Sequence, residues 1–294
     1  MLRDVVLGRL SPKGRLRIRR IVRSAEKSLA SLVFRYGPSE LSAALARLGI
    51  RPGDTVLVHS AFRHASGFTG TPRDVVACLV GAVGYQGNLL MVSLPFRTSA
   101  YEHLRSDPVF DVRRTVSQMG IVSEVFRRRS DVRRSLHPTH PVLARGKDAD
   151  WLVRDHEKSL APCGPESPFG RLRERGGKVL FFDVPFANFT FLHYLEDLLE
   201  GSVPFPIYRE GTMRARILDH EGRPGTVETK VFSEEAIARR DPELLEARLR
   251  ALGLLRSSRV GGTRLLLVGV EDAVRTTLDM RESSYFYRPA EVRR

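Results

Sequence analysis

The stretch TVLVHSAFRHASGFTGTPRDVVACLVGAVGYQGNLLMVSL, residues 55 to 94, decides the fold class. It opens on TVLVHS, an apolar run that reads as a buried strand ending in His59 and Ser60. A loop with Gly67 and Gly70 follows, and Pro72 then stands near the first position of a helix. NLLMVSL is a second buried run, so the unit reads strand, helix, strand. Upstream, PSELSAALARLGIRPGD is a punctuated helix with Ser39 as its expected cap and Gly49 as its end; its expected apolar face is Ala43, Ala44 and Leu48. Downstream, KVLFFDV (178 to 184) and TRLLLVGV (263 to 270) continue the alternation, which predicts an α/β sheet with helices on its faces. Residues 201 to 232 are richer in Pro, Gly and short alternating runs, read as small antiparallel strands or a hairpin appended to that sheet. The expected organisation is a basic helical arm over residues 1–37, one α/β domain over 38–285 and a tail over 286–294.

Composition bounds the function. No run of eighteen apolar residues predicts a membrane-spanning helix, and no apolar segment with a small-residue cleavage site opens the chain. Two cysteines, Cys78 and Cys163, make no disulfide framework, so a cytoplasmic setting is expected. The formal net charge of +14 admits nucleic acid, an anionic membrane or an anionic small molecule as partner. Nine of the first 27 residues are basic against two acidic, and the remaining excess is scattered. No zinc-finger spacing or RNP-type aromatic motif accompanies the charge, so nucleic acid is not expected. Residues 14 to 35 read as a surface helix packed by one stripe, with peripheral contact to anionic lipid by residues 1–35 as the alternative.

Three segments hold the chemistry-bearing residues. The first is His59 and Ser60 at the carboxyl end of a strand, before a glycine loop and a helix start, where α/β sheets place ligands and where anions are favoured. It is neither a P-loop nor a dinucleotide fingerprint. The second is RRSLHPTHPVLARG, residues 133 to 146, with His137 and His140 three apart. Prolines after both histidines break any helix and no cysteine pair lies near, so positioning is expected rather than metal binding. Its sequel PCGPESPFGRL ends in Ser167-Pro168, a capped helix start beside Arg171. Cys163 lacks an evident base and reads as a loop residue, and Cys78 as core. The third is FFDVPFANFTFLHYLEDLLE, where a helix begins near Phe189 or Thr190 and sets His193 and Glu196 on one face. A carboxylate that orients a histidine makes a general base; a half-buried histidine bonded to its neighbour gives the same spacing, and both readings stay open.

In order and with their spacing kept, VHSAFRHASGFTGTPRDVVACLVGAVGYQGNLLM, MGIVSEVFRRRSDVRRSLHPTHPVLARGKDA, PCGPESPFGRL and FTFLHYLED resemble the aminoglycoside 3-N-acetyltransferase family, over most of the chain beyond residue 38. The resemblance implies a central mixed sheet flanked by helices, acetyl-coenzyme A as co-substrate, no metal, and an amine of a small molecule as acceptor. It implies His193 as general base with Glu196 as its partner. His59, Ser60, Arg63, Ser167 and Arg171 are implied coenzyme contacts, and His137 and His140 pocket-lining or structural residues. Pro141 stands where the family more often has serine, and Phe189 and Phe191 flank Thr190 where it is usually polar, which implies an altered acceptor site. A polycationic acceptor favours a carboxylate-lined pocket, which 48 basic against 34 acidic residues do not advertise, so an amino sugar, anionic or nucleotide-linked, is the expected acceptor. The alternatives are a true aminoglycoside, as in antibiotic resistance, and a non-catalytic binder of membrane or nucleic acid.

Overall fold

A computed structural model describes residues 34–63, 66–283 and 285–289, so most of the basic helix expected over 14 to 35 lies outside the described residues. Ten strands run in chain order: β1 (Thr55–Ser60), β2 (Asn88–Val92), β3 (Val109–Asp111), β4 (Arg133–Arg134), β5 (Val142–Gly146), β6 (Lys178–Phe182), β7 (Met213–Leu218), β8 (Pro224–Thr229), β9 (Arg256–Val260) and β10 (Thr263–Gly269). The helices are α1 (Pro38–Leu48), α2 (Pro72–Val83), α3 (Ala100–Arg105), α4 (Ile121–Arg127), α5 (Ala149–Val153), α6 (Pro168–Glu174), α7 (Leu192–Leu198), α8 (Glu234–Arg239), α9 (Pro242–Ala251) and α10 (Val270–Asp279).

The main sheet has the order β4-β5-β2-β1-β6-β10-β9. β1 lies between β2 and β6, parallel to both, with Val58 opposite Met91 and Leu180. Antiparallel strands close each side, β5 on β2 and β10 on β6. Successive strand residues face opposite ways, and that alternation divides the core into two layers. Val56, Val58, Leu180 and Leu265 pack under α1, α2 and α4, whereas Leu57, Val179, Phe181 and Leu266 pack against α6, α7, α9 and α10. Burial on both faces is why these strands are continuous apolar runs. Each fully buried side chain such as Leu57 stabilises the fold by about 1.5–3 kcal/mol.

Local expectations are refined in four places. Helix α1 is capped by Gly37 rather than Ser39: Pro38 occupies the first turn, and the Glu40 carboxylate accepts from Gly37 N at 3.0 Å. Its buried face is Leu41, Ala44, Leu45 and Leu48, with Ala43 exposed. The strands between 201 and 232 form a hairpin, β7 with β8, but it sits in a separate three-stranded sheet with β3 and is not appended to the main one. β7 buries alternate residues only, so it suits a small sheet with one wet face rather than a layer covered on both. Helix α7 starts at Leu192, after a 3-10 turn over Phe186–Asn188, and Thr190 N, just ahead of it, donates to His59.

Gly37 and its neighbour Tyr36 already belong to the packed body, since Tyr36 is buried and its hydroxyl meets Thr263 Oγ1 at 2.5 Å. At the other end, Phe286 and Tyr287, in the segment assigned to a tail, are buried in the core. No helix of the described residues is long and apolar enough to cross a membrane.

Candidate active site

The carboxyl ends of β1 and β6 open on one side of the sheet, and the loop from Asp183 to Phe191 folds over them. His59, next to last in β1, accepts a hydrogen bond from Thr190 N at 3.3 Å through Nε2 and packs on Phe181. Burial, with His193 nearby, pushes its pKa down to about 3, so the ring is a neutral acceptor that pins the loop. Ser60 borders the same opening. Arg63 is mostly exposed, and its Nε lies 3.3 Å from Asp183 Oδ2. Asp183 itself holds φ 56, a left-handed conformation uncommon for a side-chain-bearing residue.

His193 and Glu196 share a face of α7, and Nδ1 of the imidazole is 2.8 Å from Glu196 Oε2. Glu196 is fully buried. Arg240, just beyond α8, donates from Nε to Oε1 at 2.8 Å and from Nη2 to Oε2 at 2.9 Å, and Tyr287 donates its hydroxyl to Oε1 at 2.9 Å. Burial pushes the Glu196 carboxyl up, but the hydrogen bond from His193 and the charge of Arg240 outweigh it, and the net shift is downward. Glu196 is therefore an anion, which fixes the His193 proton on Nδ1. Burial first, and then Arg240, hold His193 below its ordinary value of 6.5 against the pull of Glu196, so the ring is neutral near pH 7. No hydrogen bond of the described residues engages its Nε2. The ring is clamped by Phe232, stacked at 4.6 Å, and by His140, edge-on at 5.5 Å.

Two cavities meet at His193 and Arg240. One, of about 220 Å³, follows the strand ends and is lined by His59, Ser60, Val92, Met119 and Phe189. The other, also about 220 Å³, is lined by Phe96, Ser99, Tyr101, His140 and Phe232. Among the described residues neither wall contains a carboxylate. A neutral imidazole with a free lone pair, placed where two chambers join, can take a proton from a nucleophile in one as it attacks an electrophile in the other.

The second histidine pair is buried scaffolding with one open end. His137 stacks on His156 at 4.4 Å, and His156 bridges Ser135 Oγ and the Pro162 carbonyl. His140 reaches the second cavity and His137 does not. Ser167 caps α6 as expected, accepting from Phe169 N at 3.1 Å, but it is fully buried and donates to Gly164 O. Arg171 donates to the Arg154 carbonyl at 2.6 Å. The structure thus brings His59, Ser60, His140, His193 and Glu196 together and leaves Ser167 and Arg171 away from both cavities. Pro141 is buried and holds Ser93 N through its carbonyl, so it shapes the backbone next to His140 and does not touch the cavity. Phe189 lines the first cavity and Phe191 lies in the core.

Cys163 is fully buried, and burial, with Asp197 and Glu196 near, pushes its thiol well above the ordinary value. A protonated thiol is a poor nucleophile. Cys163→Ala is accordingly expected to turn over within about twofold of the parent, with no acylated enzyme in quenched reactions followed by mass spectrometry; an acetyl group found on Cys163 would overturn this. Among the described residues no group of three His, Cys, Asp or Glu is placed to hold a metal ion.

Arg240, Tyr287 and Phe232 were not legible as site residues. Arg240 sits in ARRDPE, one arginine among many, and only the aromatic run YFY (285 to 287) signals that the chain returns to the core.

A family model described as aminoglycoside 3-N-acetyltransferase matches residues 57–282. Aminoglycoside N(3)-acetyltransferase III of Serratia marcescens is 32% identical over 195 residues, 62% of this chain and 71% of that protein. Among solved structures, the apoenzyme of aminoglycoside acetyltransferase AAC(3)-IVa superposes with a TM-score of 0.73 at 28% identity, over 88% of this chain and 94% of that one. AAC-VIa bound to sisomicin gives 0.71 at 28% identity, over 85% and 99%.

Proposed function

Since the chain belongs to the aminoglycoside 3-N-acetyltransferase family, acyltransferases that use acetyl-coenzyme A, we propose that His193 is the general base of a direct acetyl transfer and that Glu196 orients it. The observation that carries this reading is the imidazole whose Nδ1 is tied to a buried carboxylate while Nε2 faces the junction of two cavities. A protonated amine has no lone pair, so the neutral amine is the form that attacks. As its nitrogen bonds the carbonyl carbon, His193 Nε2 takes a proton from that nitrogen, and the thiolate of the coenzyme leaves and is protonated.

The cavity along the strand ends suits the pantetheine arm. Its walls at Val92, Met119 and Phe189 are apolar, Ser60 offers a hydroxyl, and Arg63 stands nearby for the phosphates. The acceptor then takes the second cavity, whose aromatic side chains suit the face of a sugar. A polycation such as an aminoglycoside would find no carboxylate on the described walls. An amino sugar of low positive charge, neutral or bearing an anionic group, fits them better. Both cysteines are free and buried, which agrees with a cytoplasmic enzyme.

The test is a panel of amines offered with acetyl-coenzyme A, read as release of free thiol. Amino sugars carrying a phosphate or nucleotide are expected to exceed kanamycin-like compounds in kcat/KM. Preferential acetylation of the kanamycin-like compounds would overturn the acceptor class and leave a resistance enzyme. No thiol release with any amine, together with vesicle binding through residues 1–35, would favour the non-catalytic reading.

A further inference from the structure

The opposite proton assignments of His140 and His193 give the second cavity a donor facing the base. His137 Nδ1 accepts from two backbone amides, Thr139 N at 3.3 Å and His140 N at 3.2 Å. Amides only donate, so this nitrogen is unprotonated and its single lone pair is already shared. The Thr139 hydroxyl lies 3.2 Å from the same atom and 3.0 Å from His140 Nδ1. It has one proton to give. Donated to His140 Nδ1, that proton fills a vacant lone pair; donated to His137, it would be a third donor on an occupied one. In a neutral His140 the ring hydrogen then resides on Nε2.

His140 is neutral, because burial and the neighbouring His193 hold it well below 6.5. His137 Nε2 is buried without a partner, but His140 Nε2 is not among the sealed, unpartnered atoms and its ring lines the cavity. Across from it, His193 presents the complementary atom, a lone pair at Nε2. The two rings meet edge to face with centroids 5.5 Å apart. At that spacing the rings touch, so the reacting groups lie beside the pair in the second cavity, which both rings line. There an attacking nitrogen can come within about 3 Å of His193 Nε2 and a carbonyl oxygen within about 3 Å of His140 Nε2.

We propose that His140 is a second catalytic residue, whose Nε2–H donates to the thioester carbonyl oxygen as it becomes an oxyanion. The proposal rests on the reading of His193 as base. As the amine nitrogen bonds the carbonyl carbon, the carbonyl electron pair moves onto oxygen and is held by His140, while His193 takes the amine proton. Collapse restores the carbonyl, breaks the carbon–sulfur bond and sends the proton to the departing thiolate. Thr139 is a positioning residue, since its hydroxyl sets which nitrogen of His140 carries hydrogen.

The experiment measures kcat, KM and pH profiles with acetyl-coenzyme A and the amine of the panel that is turned over fastest. His140→Leu should lower kcat about 100- to 1000-fold with little change in either KM. His140→Gln, whose amide keeps an N–H near the same place, should recover much of the loss. Thr139→Val, nearly isosteric, should lower kcat about tenfold, and Thr139→Ser should restore it. The residual activity of each variant should keep the acidic limb of the parent profile, because His193 is intact. If that limb is missing in the parent itself, the base reading fails, independently of the His140 series. Loss of the His140 effect on kcat, a change confined to KM, or a Gln variant as slow as folded Leu would each overturn the proposal. If His140→Leu does not fold by thermal denaturation, the Thr139 pair decides: unchanged kcat in Thr139→Val overturns it.

Discussion

His193→Ala is expected to lower kcat by about 1000- to 10,000-fold while the KM for acetyl-coenzyme A stays close to that of the parent. A positioned general base contributes roughly 10²–10⁴ in rate, and the site offers no second lone pair to substitute, since the other cavity imidazoles are committed. His59 Nε2 accepts from Thr190 N, and His140 Nδ1 lies against Thr139. The pH profile makes the test specific. The active ring is neutral, so kcat/KM of the parent should rise with pH through the His193 pKa and then level. Burial and Arg240 place that pKa below 6.5, so the limb lies on the acid side of it. Titration of the free amine adds a second rise at higher pH. The alanine variant should lose the acidic limb and keep the amine limb. A variant with the parent's rate, or with the acidic limb intact, would remove His193 from the chemistry. Binding of the full chain to anionic vesicles should be the same in both proteins, which separates turnover from any role of the basic N-terminal residues.

The sequence displays the parts of this site that follow from local pattern. Strand β1 is visible because both of its faces are buried and its central residues Val56, Leu57 and Val58 form an unbroken apolar run. The His193–Glu196 pair is visible because three residues is one turn of a helix. What could not be read depends on long-range closure. Arg240 and Tyr287 reach Glu196 from 44 and 91 residues away in the chain, and nothing in their local composition distinguishes them from other arginines and tyrosines. Ser167 illustrates the converse. Its Ser-Pro signature correctly marks a helix cap, yet capping uses the hydroxyl, and the helix start faces the core instead of the cavity. His137 and His140 differ in the same way, since identical His-Pro dipeptides end with one ring sealed and the other lining a cavity.

Glu196→Gln should cost both activity and stability, and the two losses have separate causes. The carboxylate accepts from His193 Nδ1, from two nitrogens of Arg240 and from the Tyr287 hydroxyl. A glutamine keeps the shape but has one oxygen, and because Arg240 donates to both oxygen positions its NH₂ opposes a guanidinium N–H in either orientation. With the NH₂ at the Oε2 position it also meets His193 Nδ1. His193 responds by moving its hydrogen to Nε2, and the lone pair at the cavity is lost. A wrong tautomer of this kind lowers turnover by about 10³–10⁴ in histidine-carboxylate systems, so a loss of about 1000-fold is expected even though His193 is present. Stability falls because Arg240, only slightly exposed, loses its counter-charge beside a buried site. Breaking one side of a buried pair costs about 3–5 kcal/mol, which for a domain of this size lowers Tm by about 10 °C. Arg240→Met should show the stability loss with a smaller loss of kcat, because Glu196 can still hold the His193 proton. Its removal also takes away a charge that depresses the His193 pKa, so the acidic limb of its pH profile should move upward. Full activity in Glu196→Gln with an unshifted profile would show that the buried carboxylate serves the fold alone.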